Sequence, residues 1–362
     1  MEDILKKLVG FPSVTGDRQS INAAIGWVDR FLSERGMRVM RFEFNGSESV
    51  VATTRETKKP KLFLAGHVDV APASEDELAF REENGRYYGR GTADMKFALA
   101  AYLQLVDELG ASLKDYDLGL MITSDEETGG FNGVKRLVEL GYRADVVVYP
   151  DAGDTPDGWK FELFAKGRRA ITLEAHGKAA HGSRPWAGEN AIDKLIAAVD
   201  EIRGVFEDQG PDTNTFALAA LKGGEAFNQI PAHASADLDV RTVSNEDGAA
   251  LKRQMEKICA RRGLKLRENT DAYSSAFRTD PNDPYVAKFL KIAQKVIPEG
   301  KLHRANSTGA SDARFFGEVG VPCIIINPPC DGYHGANEWV SKEGIEQLLE
   351  ILRLYVDEIA KS

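Results

Sequence analysis

The stretch Lys61-Leu62-Phe63-Leu64-Ala65-Gly66-His67-Val68-Asp69-Val70 constrains this chain more than any other. Its apolar run reads as a buried strand, and a histidine and a carboxylate two residues apart at its far end would point to the same side. Taken alone, the pair fits either a site at a strand end or an ordinary histidine beside a turn aspartate. The pattern then recurs. Leu118 to Thr123 is a second apolar run and delivers Asp125-Glu126-Glu127, which is either a solvated turn or a functional cluster. Asp145 to Tyr149 delivers Asp151 after Pro150. Val321 to Asn327 is followed by a proline-rich loop that carries His334. Strands apolar on both faces and alternating with helices predict a mostly parallel sheet covered on both sides, with ligands bound beyond the carboxyl ends of its strands. His67, Asp69, the acidic triplet, Asp151 and His334 would all lie there.

Local signals place the connecting elements. Apolar positions Ile21, Ile25, Val28, Phe31 and Leu32 predict a helix from Ser20 to Gly36, with serine as cap and glycine as stop. Strands are expected at Arg38 to Phe44 and Ser49 to Thr53, and Ala71 to Tyr88 reads as an irregular loop. Asp94 is expected to open a helix that runs through Leu99, Tyr102, Leu103 and Val106 to Gly110. Between Gly167 and about Thr270 the grammar changes. The alternation Ala236-Asp237-Leu238-Asp239-Val240-Arg241, with helices at Glu189 to Ile202 and Asn245 to Arg262, predicts an antiparallel sheet with one side covered. The fold class expected is α/β, with a mostly parallel-sheet catalytic domain made of residues 1–165 and 275–362 and an inserted α+β domain, 166–274.

Composition narrows the function. The 362 residues carry 46 Lys and Arg against 56 Asp and Glu, a formal net charge of −10 without long acidic blocks. That balance offers no footprint for nucleic acid or an anionic membrane. The first residues, Met1 to Leu8, lack a continuous apolar core, so neither a signal peptide nor a membrane span is expected there and a cytoplasmic address follows. Cys259, Cys323 and Cys330 are too few and too scattered for a disulfide framework or a thiolate metal site. What remains is an N/O ligand set of two histidines and several carboxylates, suited to Zn²⁺ and tolerable to Co²⁺ or Mn²⁺. It suffices for two ions if one carboxylate bridges. An ion pair of this kind polarises a carbonyl and acidifies a shared water, and a further carboxylate must move the proton. Adjacent Glu126 and Glu127 can divide the tasks of base and ligand, with Asp69 supporting His67 from behind.

The combination of Gly66-His67-Val68-Asp69-Val70, Gly89-Arg90-Gly91-Thr92-Ala93-Asp94-Met95-Lys96, Asp125-Glu126-Glu127 and His334-Gly335-Ala336-Asn337-Glu338 resembles the co-catalytic dizinc metallopeptidase and amidohydrolase family. That family includes succinyl-diaminopimelate desuccinylase, acetylornithine deacetylase, aminoacylase, carboxypeptidase G and di- and tripeptidases. The resemblance runs over nearly the whole chain. It implies that Asp94 bridges two metals, that His67 and Asp151 complete one ion's shell and that Glu127 and His334 complete the other's. It implies Glu126 as general base, Asp69 as the residue orienting His67, and a cis peptide after Asp94. In the inserted domain, which the resemblance makes a lid and dimerisation domain, Gly177 to Pro185 carries His181. The matching histidine of relatives reaches into a partner's active site to help bind the oxyanion, so a homodimer is implied. Asn228 and Arg241 match positions that contact substrate, although a structural salt bridge is an equal reading for Arg241. Backbone groups at Gly309 to Ser311 could cradle a substrate carboxylate, with a plain serine cap as the competing reading.

Some positions depart from the family's usual pattern. Asp151 stands where desuccinylases and deacetylases usually have glutamate and peptidases often have aspartate, which favours a peptidase. Phe97 and Ala310 replace a frequent glycine and a frequent threonine or serine, and Asp76 to Arg81 lacks the usual tryptophan and Pro-Phe pair. The expected function is hydrolysis of an amide or peptide bond in a short peptide or N-acyl amino acid. The alternatives are a biosynthetic deacylase and a catalytically silent metal-binding protein.

Overall fold

The structure is a computed structural model that describes all residues except Ala152, Glu207, Thr308 and Ser362, together with the side chains of Asp271 and Ala272. The chain divides into two compact units. The first comprises Met1–Leu163, Thr279–Ala305 and Ser311–Ser362, and the second Phe164–Arg278 and Asn306–Ala310.

The first unit is built on a central sheet whose strands lie in the order Arg38–Phe44, Ser47–Thr53, Leu118–Thr123, Leu62–His67, Val146–Val148, Cys323–Asn327 and Trp159–Ala165. Pairing is parallel through the middle, where Leu62–His67 runs beside both Leu118–Thr123 and Val146–Val148, and Cys323–Asn327 beside Val146–Val148. It turns antiparallel towards both flanks. The central strands are buried along their whole length, as apolar runs without alternation require. Each fully buried Leu, Ile, Val or Phe contributes about 1.5–3 kcal/mol, so the middle of this sheet is the firmest platform available for a site. Helix Phe97–Leu109 packs on Leu62–His67 and against the terminal helix Lys342–Ile359, while Arg18–Glu34 covers Ser47–Thr53.

Local sequence reasoning falls short at several elements of this unit. Helix Arg18–Glu34 is capped by Asp17, whose side chain accepts from the Ser20 N–H, while the Ser20 hydroxyl accepts from the N–H of Ser13. The expected loop from Ala71 to Tyr88 contains a short helix, Glu75–Leu78, and a hairpin, Arg81–Glu83 with Arg86–Tyr88. Asn84 and Gly85 turn that hairpin with φ of 51° and 72°, an Asn-Gly pair being the residue choice such a turn demands. The hairpin joins Trp339–Ser341 and Cys330–Asp331 in a small second sheet, and His334 lies in the connection between those last two strands. Asp94 does not open a helix. Its φ and ψ are −132° and 93°, the Asp94–Met95 peptide is cis, and the regular helix begins at Phe97.

The second unit is an antiparallel sheet in the order Thr215–Gly223, His233–Thr242, Gly167–His176 and Leu264–Ser274. Gly167–His176 alternates buried and partly exposed residues along its length. Its buried set, with Ile171, Leu173, Leu238 and Val240, packs with Leu195 and Val199 of helix Ala191–Arg203 and Met255 of helix Asn245–Arg261. The final strand, Leu264–Ser274, is 11 residues long. Among the described residues no helix is long and apolar enough to cross a membrane, and Cys259, Cys323 and Cys330 are buried free thiols.

Candidate metal centre

The site forms at the carboxyl end of the parallel strands. His67 closes Leu62–His67 with no exposed surface. Its Nδ1 lies 2.9 Å from the Asp69 carbonyl oxygen and 3.4 Å from Asp69 Oδ1, and its Nε2 lies 3.2 Å from Asp94 Oδ1. The other Asp94 oxygen is 2.8 Å from His334 Nε2, which in turn lies 3.2 Å from Glu127 Oε2. Asp94 therefore stands between the two imidazoles and presents one oxygen to each. Two groups of donor atoms result, His67 with Asp94 and Asp151, and Asp94 with Glu127 and His334, each with all its atoms within 4.8 Å of one another.

Those donors fit divalent cations. His67 Nε2, Asp94 Oδ1, Asp151 Oδ2 and Glu127 Oε1 are buried atoms without a hydrogen-bond partner. Leaving such atoms unpaired is costly, and a hard or borderline cation with N/O ligands is the partner that would satisfy them together.

The supporting residues act through the backbone as well as through side chains. Asp69 Oδ2 accepts from the Glu127 N–H at 3.1 Å, so the carboxylate behind His67 also fixes the turn that carries Glu126 and Glu127. Asp125 is turned away from the cluster and accepts from the Asn132 N–H at 2.7 Å. Gly130 has φ +64°, and a Cβ there would lie 2.0 Å from the buried Asp312 carboxylate, so only glycine lets the turn pass so close. Tyr333 donates its hydroxyl to Asp151 Oδ1 at 2.9 Å. Glu338 accepts from the N–H groups of Ala93 at 2.7 Å and Asp94 at 3.1 Å, and its other oxygen pairs with Arg90 at 2.8 Å. Sequence reasoning gave no role to Tyr333, Glu338 or Asp312. The signal for Glu338 lay in its place at the end of the segment His334-Gly335-Ala336-Asn337-Glu338 that carries the family resemblance.

Because Arg90 and Glu338 are each 3% exposed, Glu338→Ala would strand a buried guanidinium and free the Asp94 segment. The expected cost is about 3–5 kcal/mol of unfolding free energy, measurable by urea denaturation of the metal-free protein.

Crowding governs the charges. Burial first, then the nearby Asp151, Asp312 and Asp94 carboxylates, hold the Glu126 carboxyl well above the usual range. Burial and Asp94 push Asp151 up to about 6, and burial pushes Asp125 up to about 6. Burial disfavours charge on His67, yet the adjacent Asp69 and Asp94 carboxylates hold it above its ordinary value. Hydrogen bonds to Asp94 and Glu127 raise His334 to about 10.

These shifts share a sign. For a raised carboxyl the folded chain binds more protons than the unfolded one, so stability falls as pH climbs from about 4 to about 6. For the raised His334, stabilisation is complete below about 6.5 and fades as pH climbs towards 10. Asp94 is shifted down, so its contribution is lost only in stronger acid. The metal-free protein is expected to melt several degrees lower at pH 8 than at pH 5, and a saturating divalent cation to flatten the slope. Thermal melts with and without chelator check this, and a metal-free profile that rises with pH would contradict it.

Of the remaining candidates, His181, Asn228, Arg241 and Gly309 belong to the second unit and Ser311 to the first. His181 is exposed on the two-residue strand Ala180–His181, and its Nδ1 is 2.8 Å from Ser183 Oγ. Asn228 sits beside it in an exposed loop, its carbonyl accepting from the Gly182 N–H at 2.6 Å. Arg241 grips Asp239 through Nε at 2.6 Å and Nη2 at 3.2 Å, which is the salt-bridge arrangement. Gly309 falls in the second unit, its N–H donating to Ser307 Oγ. Ser311 is a buried residue of the first unit whose side chain hydrogen-bonds Asp151.

A mostly parallel sheet with two histidines and a shared carboxylate gathered beyond its carboxyl edge defines the class, an α/β protein equipped to hold metal. The model of Peptidase family M20/M25/M40 matches residues 63–358, and the chain belongs to that family, as a hydrolase acting on C–N bonds. It is 28% identical over 374 residues to the succinyl-diaminopimelate desuccinylase of Parvibaculum lavamentivorans, covering 96% of this chain and 93% of that protein. It is also 28% identical over 364 residues to that of Nitratiruptor sp., covering 97% of each. Among solved structures it resembles a Staphylococcus aureus tripeptidase, with a TM-score of 0.80 at 22% identity over 98% of this chain and 97% of that one. It also resembles the aminopeptidase PepT of Bacillus cereus, with a TM-score of 0.81 at 19% identity over 99% and 97%.

Proposed function

We propose that this chain hydrolyses an amide or peptide bond in a short peptide or N-acyl amino acid, with Glu126 as general base. The observation that carries the proposal is the pair of donor groups that share Asp94. His67 and Asp151 would hold one divalent ion and Glu127 and His334 the other, with Asp94 common to both. Zinc suits these ligands best, with cobalt or manganese as substitutes. When bound, two such ions polarise a carbonyl and acidify a water.

The chain's own residues do the rest. Glu126 takes the proton of the attacking water and delivers it to the leaving nitrogen. The same burial and neighbouring charge that raise its proton affinity favour holding that proton between the two steps. Asp69 keeps the His67 ring in place and, through the Glu127 N–H, keeps the Glu126–Glu127 turn in register with it. Tyr333 holds one oxygen of Asp151 and leaves the other for the cation.

His181 would be supplied by a second copy of the chain, as the lid closes, to help bind the oxyanion, and Asn228 to donate to a substrate carbonyl. A homodimer through the second unit belongs to this reading. Arg241 could serve a substrate carboxylate only by leaving Asp239. Gly309 and Ser311 belong to the same substrate-binding proposal, with Ser311 acting beside Asp151. The buried free thiols agree with a cytoplasmic enzyme.

Asp151 favours a peptide substrate, whereas the full-length similarity to proteins named desuccinylases favours an N-succinyl amino acid. Assays of the zinc-loaded enzyme against di- and tripeptides and against N-succinyl and N-acetyl amino acids decide. The expected result is the highest kcat/KM on a short peptide. Turnover confined to N-succinyl substrates would transfer the assignment to the deacylase reading.

A further inference from the structure

The second unit holds a histidine pair outside the chemistry proposed for the first. His176 ends strand Gly167–His176, His233 begins strand His233–Thr242, and the antiparallel register sets them directly opposite each other. Their Nδ1 atoms are 3.0 Å apart, and their rings meet edge to face with centroids 5.0 Å apart and planes at 88°. Both are exposed, on the wall of a cavity of about 470 Å³ that Glu174, Lys222 and Glu225 also line. Glu174 lies two residues before His176 on the same strand and shares its face. Glu174 faces Arg267 at 3.8 Å, and the Lys194 ammonium donates to the His176 carbonyl at 3.0 Å, so the imidazole nitrogens and not the local charge recommend the site.

Two imidazole nitrogens at this separation either share one proton or turn both lone pairs towards one cation. A cation ~2.0–2.1 Å from each nitrogen would see them at roughly 95°, nearer the square-planar or octahedral angle than the tetrahedral one. Imidazole at that angle suits Cu²⁺ and Ni²⁺. Because paired strands already fix both backbones, little ordering remains to oppose binding.

The location gives the pair its consequence. Immediately beyond it the Gly177 N–H donates to the Ala232 carbonyl at 2.8 Å. The two chains then continue as Ala180–His181 paired with Gln229–Ile230, and Gly182 bonds Asn228. The histidines thus sit at the root of the narrow arm that presents His181 and Asn228. We propose that His176 and His233 form a transition-metal site, separate from the cluster in the first unit, that staples the root of this arm. The two imidazoles are the protein's ligands, and water fills the remaining positions.

The experiment titrates Cu²⁺ into protein already loaded with zinc and records electron paramagnetic resonance of frozen samples, for wild type, His233→Gln and His176→Gln. The wild type is expected to take up one copper more per chain than either variant, with a signal split by two nitrogens. In each variant the affinity of that copper should fall by more than about tenfold, or at least 1.4 kcal/mol. Circular dichroism of the variants checks that the strands remain paired. Copper uptake and spectra that are the same in wild type and both variants, or a loss in one variant alone, would overturn the proposal. Since any copper entering the first-unit cluster does so equally in all three proteins, the outcome does not depend on which amide the enzyme cleaves.

Discussion

Glu126→Gln is expected to retain both metals and lose activity by roughly 10²–10⁴-fold in kcat, the range general acid–base catalysis supplies. Glutamine keeps the size of the side chain and removes its ability to take a proton. The donor groups around His67, Asp94, Asp151, Glu127 and His334 do not include Glu126, so metal content by elemental analysis should match the wild type. KM should change little if the loss lies in the transition state. Unchanged turnover would remove Glu126 from its role. A parallel loss of metal would make it a ligand instead.

Asp94→Asn is expected to have the broadest effect of any single substitution at the site. Asp94 gives one oxygen to the His67 side and the other to the His334 side, and asparagine offers a single acceptor oxygen with no charge. Both ions should be weakened together and activity should fall to background. His334→Ala, which touches one donor group only, should release one ion and keep the other. Metal stoichiometry after dialysis against a mild chelator separates the two variants. The Glu338 bonds to the backbone at Ala93 and Asp94 do not involve the substituted side chain, so circular dichroism of Asp94→Asn should stay that of the wild type.

Much of the fold was legible because its information is local. Leu62–His67 and Leu118–Thr123 are apolar runs that a central parallel strand requires, and Gly167–His176 alternates as a one-sided sheet requires. His67, the acidic triplet, Asp151 and the loop carrying His334 could be placed beyond one sheet edge for the same reason, while the choice of Glu127 and Asp94 as ligands came from the resemblance. What escaped depends on distant partners. Asp94 reads locally as a helix cap, and only the resemblance implied a bridging ligand followed by a cis peptide; the Glu338 bond that holds its backbone from 244 residues away is encoded by no periodicity. Asp69 was read as support for His67, while its bond to the Glu127 N–H joins two different strand ends and exists only once they are side by side. The hairpin at Asn84-Gly85 was encoded by its turn, but Arg81–Glu83 is exposed throughout and Arg86–Tyr88 buries only Tyr87, too little alternation to mark two strands.

The span of the Glu338 contact bears on how the protein comes into being. A ribosome releases His67, Asp94 and Glu127 early and His334 and Glu338 close to the end, with the continuous segment Phe164–Arg278 made in between as a compact unit. Domains fold as units while synthesis proceeds, so the intervening unit can be complete before Asp94 receives its anchor. A chain stopped short of residue 334 would carry four of the five donor residues, with one donor group left incomplete and none of the Glu338 support. A product that ends before His334 therefore lacks one complete donor group and the Asp94 anchor together, so the two are gained in the same stretch of synthesis.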